Sequence, residues 1–157
     1  MLYYRFLHLL QLVALTTCAP MPAALVAISD CWVRPATEHE QREAFASFVT
    51  DFYIKKNIVK AIKDNVADSY IQHNPYVADG PAATISYLSP LLPNLNFTIL
   101  RSTFENGLGL VHYKVLGFGP SPTAIVDMYR FSGLCIVEHW DVIESLPANA
   151  SNPHALF

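Results

Sequence analysis

The chain has 157 residues, of which 52% are hydrophobic, 12% aromatic and 15% charged. It is long enough for one domain with a sizeable core. Its low share of charged residues and its high share of aromatic residues argue against intrinsic disorder. The net charge is -3, the pI is about 6.0, and no basic cluster occurs. Nucleic acid is therefore not an expected partner.

The N-terminal segment differs from the rest of the chain. Arg5 precedes an apolar run, Phe6–Thr17, which has the length of a signal-peptide core and is followed by small residues. The run is shorter than the roughly 20 residues of a membrane-spanning helix. We predict a signal peptide at 1–18, a linker at 19–36 and a secreted mature chain with no stable membrane anchor. A membrane anchor or an N-terminal core helix stays open as the alternative.

The cysteines do not settle the compartment. Removal of the leader would leave Cys31 and Cys135, which are one possible disulfide but not a disulfide framework. Cys135 lies within a strand pattern, where a buried free thiol is the more common outcome. The state of these two cysteines stays open.

Helical signals dominate the first part of the domain. Thr37 and Glu40 form a capping box that opens a first helix toward Tyr53, with a stripe of phenylalanines at spacings of three and four. A second helix is predicted near 57–64, and Pro81 opens a third. An extended segment at 69–75 lies between these two helices.

Four strand-length runs follow, at 97–105, 108–116, 123–131 and 134–144. Asn106-Gly107 is typical of a tight hairpin, so these strands are expected to be antiparallel neighbours. Helices followed by such strands predict an α+β domain. A curved antiparallel sheet under three N-terminal helices would enclose a pocket suited to a small ligand.

Ionisable side chains are unusually frequent in the last two strands, which contain Asp127, Glu138, His139 and Asp141. Apolar strands seldom carry so many charges unless one face of the sheet has a polar function. The faces depend on the loop between the two strands. A three-residue loop ending at Gly133 places Arg130 opposite Leu134, and both aspartates then share one face with Val137 and His139. A two-residue loop would place the aspartates on opposite faces.

The other face of these strands is predicted to be the outer surface of the sheet. Its expected members include Arg130 and Glu138, which can form a salt bridge there. Met128, Ile136 and Trp140 would add a broad apolar patch on the same face. We therefore predict a homodimer that forms through the outer face.

The order of these elements resembles that of SnoaL-like proteins, which belong to the nuclear-transport-factor-2-like superfamily of cone-shaped α+β domains. The resemblance covers 37–157 and depends most on the segments YIQHNP, at Tyr70–Pro75, and VEHWDV, at Val137–Val142. The superfamily includes polyketide cyclases, ketosteroid isomerase, limonene epoxide hydrolase and scytalone dehydratase. The resemblance implies acid/base chemistry next to a carbonyl group.

The resemblance also implies roles for individual residues. Asp141 corresponds to the acid/base aspartate of the cyclases, Asp127 to a second polar residue of the pocket, and His139 to a histidine beside them. A carboxylate in an apolar pocket suits a base that removes a proton from carbon. Structural roles stay open, since Asp127 can pair with an arginine, either Arg130 or Arg101, and the other two can be satisfied locally. The implied ligand-binding residues are Tyr70, His73, Asn74 and Tyr129.

The leading hypothesis is a cofactor-independent enzyme that acts on a small, largely apolar carbonyl compound by aldol condensation, cyclisation or isomerisation. Two alternatives stay open: a secreted binding protein without turnover, and lyase or hydrolase chemistry in the same pocket. The two histidines at 73 and 139 and the aspartates at 127 and 141 do not match a known metal-ligand spacing, so no metal is predicted. The substrate is not defined by the sequence.

Overall fold

The computed structural model describes residues 29–157. The predicted signal peptide and the first part of the predicted linker lie outside the described residues. Within 29–157, no helix is long and apolar enough to cross a membrane.

The first helix, α1, spans Glu38–Val49 and begins at the predicted capping box. The Thr37 hydroxyl accepts a hydrogen bond from the Glu40 backbone N–H at 3.3 Å, and the Thr37 N–H donates to the Glu40 carboxylate at 2.8 Å. A π-helical turn at Thr50–Ile54 continues the helix. The longer helix toward Tyr53 was therefore predicted correctly in extent, but its last turn is wider than an α-helix.

Two further helices follow as predicted. The helix α2 spans Ile58–Asn65, and the Asn57 side chain caps it by accepting from the Lys60 N–H. The helix α3 spans Pro81–Leu88 with its proline in the first turn, where the missing N–H removes no helical hydrogen bond. A short 3-10 turn at Leu92–Asn94 leads into the sheet.

The sheet has five strands: β1 at Val66–Gln72, β2 at Asn96–Glu105, β3 at Leu108–Leu116, β4 at Thr123–Ser132 and β5 at Cys135–Ser145. Their order is β1-β5-β4-β3-β2. The pairs from β2 to β5 are antiparallel, and the Asn106-Gly107 hairpin lies where it was predicted. The four predicted strands are therefore antiparallel neighbours as expected, and a fifth strand, β1, which overlaps the segment predicted as extended, pairs with β5 in parallel and makes the sheet mixed.

The core lies between the helices and the inner face of the curved sheet. Phe45, Phe48 and Phe52, which form the predicted stripe of α1, are all buried. The Phe45 ring packs against Phe104 and Phe131 of the sheet with ring centroids 5.6 and 6.1 Å apart. This packing holds the helices over one face of the sheet and leaves the other face outward.

The turn between β4 and β5 differs from the prediction. Ser132 pairs with Cys135, so the loop has two residues, and Gly133 takes the predicted left-handed conformation with φ of 56°. An extra residue follows, because Phe131 faces Ile136 whereas Arg130 faces Glu138. This β-bulge returns the later part of β5 to the face expected for a three-residue loop.

Because of the bulge, the residues that were predicted to share the inner face do not all lie on it. Asp127 and Asp141 are direct cross-strand partners on the inner face. Val137, which was predicted to join them, packs instead with Cys135 and Ala67 in a separate small cluster.

The outer face was also predicted with one error. Arg130 and Glu138 form the expected salt bridge there, with Nε 2.7 Å from the carboxylate. Ile136, however, is fully buried in the main core rather than part of an outer apolar patch. The predicted homodimer surface therefore loses one of its three apolar residues.

A disulfide fastens the N-terminal segment to the sheet. Cys31 and Cys135 are bonded, although the strand pattern favoured a free thiol at Cys135. Backbone contacts support the same attachment, since the Asp30 N–H donates to the Lys63 carbonyl at 2.8 Å. At Gly133 an added Cβ would lie 1.8 Å from the Arg34 carbonyl oxygen, so the segment passes directly over the β4–β5 turn.

Candidate active site

A cavity of about 530 Å³ lies between the helices and the inner face of the sheet. This volume is in the range of small-molecule sites, which is roughly 300–1,000 Å³. Its wall is largely apolar and comes from α1, α2, α3 and the inner faces of the strands; among its members are Phe48, Phe52, Ile62, Leu88, Leu91, Leu92, Val115 and Ile125.

Among the described residues, the two carboxylates and the one imidazole that line the cavity lie together on β4 and β5. Asp127 and His139 are buried, with 4% and 7% of their surface exposed, and Asp141 is half-buried. One ligand-type atom of each lies within 4.8 Å of the others. The structure thus brings together the three predicted catalytic residues in one cavity roofed by α1. His73, the fourth residue considered for a metal set, is not part of this group.

Phenol groups surround the Asp127 carboxylate. Its Oδ2 accepts hydrogen bonds from the hydroxyls of Tyr53 and Tyr129, the latter at 3.2 Å. Burial, and then the charge of Asp127, raises the pKa of Tyr53, Tyr113 and Tyr129 well above the usual value. These tyrosines therefore stay protonated and act as hydrogen-bond donors. Asp127 uses this phenol cluster rather than either arginine suggested by the sequence.

The His139 ring is held on both nitrogens. Its Nδ1 lies 2.7 Å from Gln72 Oε1, and its Nε2 lies 3.3 Å from Asp127 Oδ1. The ring also packs on Tyr129, with centroids 4.8 Å apart.

Asp141 and Tyr70 have the opposite character, because each keeps a group available to a ligand. The Asn74 side-chain amide donates to Asp141 Oδ2, and no other hydrogen bond to the Asp141 carboxylate occurs among the described residues. The Tyr70 hydroxyl accepts from Gln72 Nε2 at 3.0 Å, and nothing within residues 29–157 accepts its proton. Burial first, and then the charges of Asp127 and Asp141, raises the pKa of Tyr70. Tyr70 is therefore a neutral donor in the cavity that Asp141 also lines.

Of the four predicted ligand-binding residues, Tyr70, Asn74 and Tyr129 line the cavity. His73 does not, contrary to the prediction. Because side chains alternate along β1 and its extension, His73 points to the outer face and stacks on Trp140, with ring centroids 5.0 Å apart. Its Nε2 lies 2.8 Å from the Glu138 carboxylate. That hydrogen bond, followed by the one from Arg130, lowers the pKa of Glu138.

Three residues of the site were not selected from the sequence: Gln72, Tyr53 and Tyr113. Tyr113 alternates with the buried Val111 and Val115 on β3, and this period of two was the available signal. Gln72 lies inside the segment YIQHNP, two residues from Tyr70 and Asn74, so its inner-face position follows from the same alternation. Tyr53 had no comparable signal, because it lies in the π-helical turn.

The fold matches known structures although the sequence does not match known families. No protein-family model and no curated protein matches the chain. A nuclear-transport-factor-2-like protein of unknown function from Burkholderia xenovorans is similar in structure with a TM-score of 0.59 and 16% identity, over 73% of this chain and 90% of that one. A proposed ketosteroid isomerase from Kribbella flavida is similar with a TM-score of 0.58 and 11% identity, over 76% of this chain and 88% of that one.

A proposed polyketide cyclase from Acidithiobacillus ferrooxidans is similar with a TM-score of 0.51 and 14% identity, over 67% of this chain and 88% of that one. These identities are too low to transfer an activity, and they establish the architecture alone. The chain has the nuclear-transport-factor-2-like fold, as the resemblance to SnoaL-like proteins implied.

Proposed function

We propose that the protein is a cofactor-independent acid/base enzyme that acts on a small, largely apolar carbonyl compound. The observation that supports this most directly is that Asp141 and Tyr70 line the same, largely apolar cavity. Asp141 has a carboxylate oxygen that can accept a proton, and Tyr70 has a hydroxyl proton that it can donate to a ligand oxygen. Removal of a proton next to a carbonyl requires these two groups.

The reaction can be written with these side chains alone. Asp141 takes a proton from the carbon next to the carbonyl, and the C–H electron pair moves to form the enolate. The developing charge lies on the carbonyl oxygen, to which the Tyr70 hydroxyl donates. In an isomerisation, Asp141 returns the proton to another carbon. In an aldol condensation, the enolate carbon bonds to a second carbonyl carbon of the same molecule, and the resulting alkoxide takes the proton from Asp141.

The test is proton exchange at the α-carbon of candidate ketones in deuterated buffer, followed by NMR. Asp141→Asn keeps the shape of the side chain but cannot take a proton, so exchange should fall by roughly 10²–10⁴-fold, the usual loss for a general base. Glu144→Gln is a matched control, because it makes the same change at an exposed position of β5. It should exchange like the wild type.

Other outcomes would favour other functions. Exchange that persists undiminished in Asp141→Asn would show that this carboxylate is not the base. Tight ligand binding without exchange, in the wild type and the variant alike, would favour a binding protein. Bond cleavage that incorporates solvent oxygen would favour hydrolase chemistry.

We also propose that the mature chain is secreted. The Cys31–Cys135 disulfide supports this, because such bonds persist mainly in oxidising compartments. N-terminal sequencing of the native protein should return a start near Ala19. A start at Met1 or Leu2 would contradict cleavage of a leader.

A further inference from the structure

The side-chain amide of Gln72 contacts three other parts of the site. Its Oε1 lies 2.7 Å from His139 Nδ1 and 2.9 Å from the backbone nitrogen of Asn74. Its Nε2 donates to the Tyr70 hydroxyl at 3.0 Å. The Gln72 backbone is held as well, because its N–H donates to the Asp79 carboxylate at 2.7 Å. Both the position and the orientation of this amide are therefore constrained.

The orientation of the amide follows from the Asn74 contact. A backbone N–H can only donate, so the Gln72 atom that faces it must be the carbonyl oxygen. Turning the amide over would place two donors against each other. The same oxygen faces His139 Nδ1. Nδ1 must therefore carry a proton and donate it to Gln72.

A protonated Nδ1 restricts what can happen at the other ring nitrogen. His139 Nε2 lies 3.3 Å from Asp127 Oδ1. This contact is an ion-pair distance without hydrogen-bond geometry. With the proton fixed on Nδ1, a neutral ring that carries its proton on Nε2 is excluded, and Nε2 is the nitrogen that faces the Asp127 carboxylate.

The groups that face this pair are phenols and one carboxylate. The Tyr53 hydroxyl donates to Asp127 Oδ2, and the Tyr129 hydroxyl lies 3.2 Å from the same oxygen and 2.7 Å from the Tyr53 hydroxyl. None of the described residues that line the cavity is a lysine or arginine. The titratable groups around the pair are Tyr53 of the π-helical turn, Tyr70 of β1, Tyr113 of β3, Tyr129 of β4 and Asp141 of β5.

We infer that Gln72 is a positioning residue, which fixes a proton on Nδ1 of His139 and thereby presents Nε2 to the Asp127 carboxylate. Asp141 is outside this contact, and only one of its carboxylate oxygens has a hydrogen-bond partner among the described residues. The same amide donates to the Tyr70 hydroxyl oxygen, so the Tyr70 hydroxyl proton points elsewhere and can be donated to a ligand. The consequence for turnover rests on the proposed function, whereas the protonation state is a property of the free protein.

The test is the nitrogen NMR spectrum of the full protein with ¹⁵N-labelled histidine, in which ring shifts distinguish the two tautomers and the cation. His139→Gln identifies the signals by their loss. The wild type should show Nδ1 protonated at every pH at which the protein is folded. Gln72→Met removes the acceptor at similar length, so His139 should become a neutral ring with its proton on Nε2. Gln72→Glu keeps an oxygen acceptor and should retain the proton on Nδ1.

Gln41→Met is the matched control, because Gln41 lies on α1 and donates to the Gly133 carbonyl, away from the cavity. It should leave the His139 signals unchanged. A wild-type ring protonated on Nε2 alone would overturn the inference, even if the Gln72 variants do not fold. Nδ1 protonation that persists in a folded Gln72→Met would also overturn it. A wild type with the expected tautomer but no exchange of any ketone would reject the proposed function and leave this inference standing.

Discussion

Loss of the Cys31–Cys135 disulfide is expected to remove a large part of the stability of the domain. The bond joins residues separated by 104 positions. In the chain-entropy model, a closed loop of about 100 residues contributes about 4.7 kcal/mol to the free energy of unfolding, because the open unfolded chain gains conformations. Single domains have a total of roughly 5–15 kcal/mol, so the open chain would be close to the limit of folding.

The perturbation is the double variant Cys31→Ala with Cys135→Ala, and the assay is equilibrium unfolding in urea followed by circular dichroism. With a slope of about 2 kcal/mol per molar urea, the midpoint should fall by about 2 M. Ser102→Ala is the control, because it makes a change of similar size at an exposed position of β2 and leaves the disulfide in place. Unfolding of the wild type in reducing buffer should reproduce the fall, and the double variant should not respond to the reductant.

The reasoning would be refuted by a midpoint that moves by less than about 0.5 M in the double variant with the slope unchanged. Such a result would mean that the bond does not restrict the unfolded chain. A changed slope would instead point to a more expanded denatured state, which is what an open loop should produce.

The remaining predictions concern packing, charge and assembly. Gly109→Ala should lower the free energy of unfolding by about 1–3 kcal/mol, because the added Cβ would lie 2.5 Å from the buried Phe45 ring. Adding Phe45→Leu to this variant should recover part of the loss, as measured by unfolding in urea. Hydrogen bonds from Lys55 and Lys60 lower the pKa of Asp51, so its stabilising effect is present at neutral pH and lost as the pH falls through the lowered value. The stability difference between wild type and Asp51→Asn should therefore vanish in acid, as thermal unfolding at a series of pH values would show. Light scattering at tens of micromolar should give the mass of a homodimer, and a monomer would contradict the proposed association.

Local signals in the sequence were enough to predict most of the fold. The Thr37–Glu40 capping box and the Asn106-Gly107 hairpin are set by neighbouring residues, and both lie where they were expected. The parallel pairing of β1 with β5 and the bond between Cys31 and Cys135 join distant parts of the chain. No local pattern encodes such contacts, so the sequence left both of them open.

The candidate site was also predicted only in part from local signals. Asp127, His139 and Asp141 share a face as predicted, but through a two-residue loop and a bulge rather than a three-residue loop. The prediction that His73 lines the cavity was wrong, because the sequence pattern did not show which residues of the preceding strand face inward. Gln72 was overlooked because an amide carries no charge that would mark it in an apolar segment, although its hydrogen bonds determine the protonation of its neighbours.

The β-bulge at Val137 makes β5 serve two purposes along one strand. Before the bulge, Cys135 faces outward to its disulfide partner, and after it His139 faces the cavity. Deleting Val137 would remove the bulge but leave the pairs on both sides of it in place, so Cys135 would still face its disulfide partner and His139 the cavity. Substitutions at Val137 would change only local packing. Relatives that share this site should therefore tolerate the loss of the residue at the bulge as well as its substitution, because the cross-strand pairs on both sides do not depend on it.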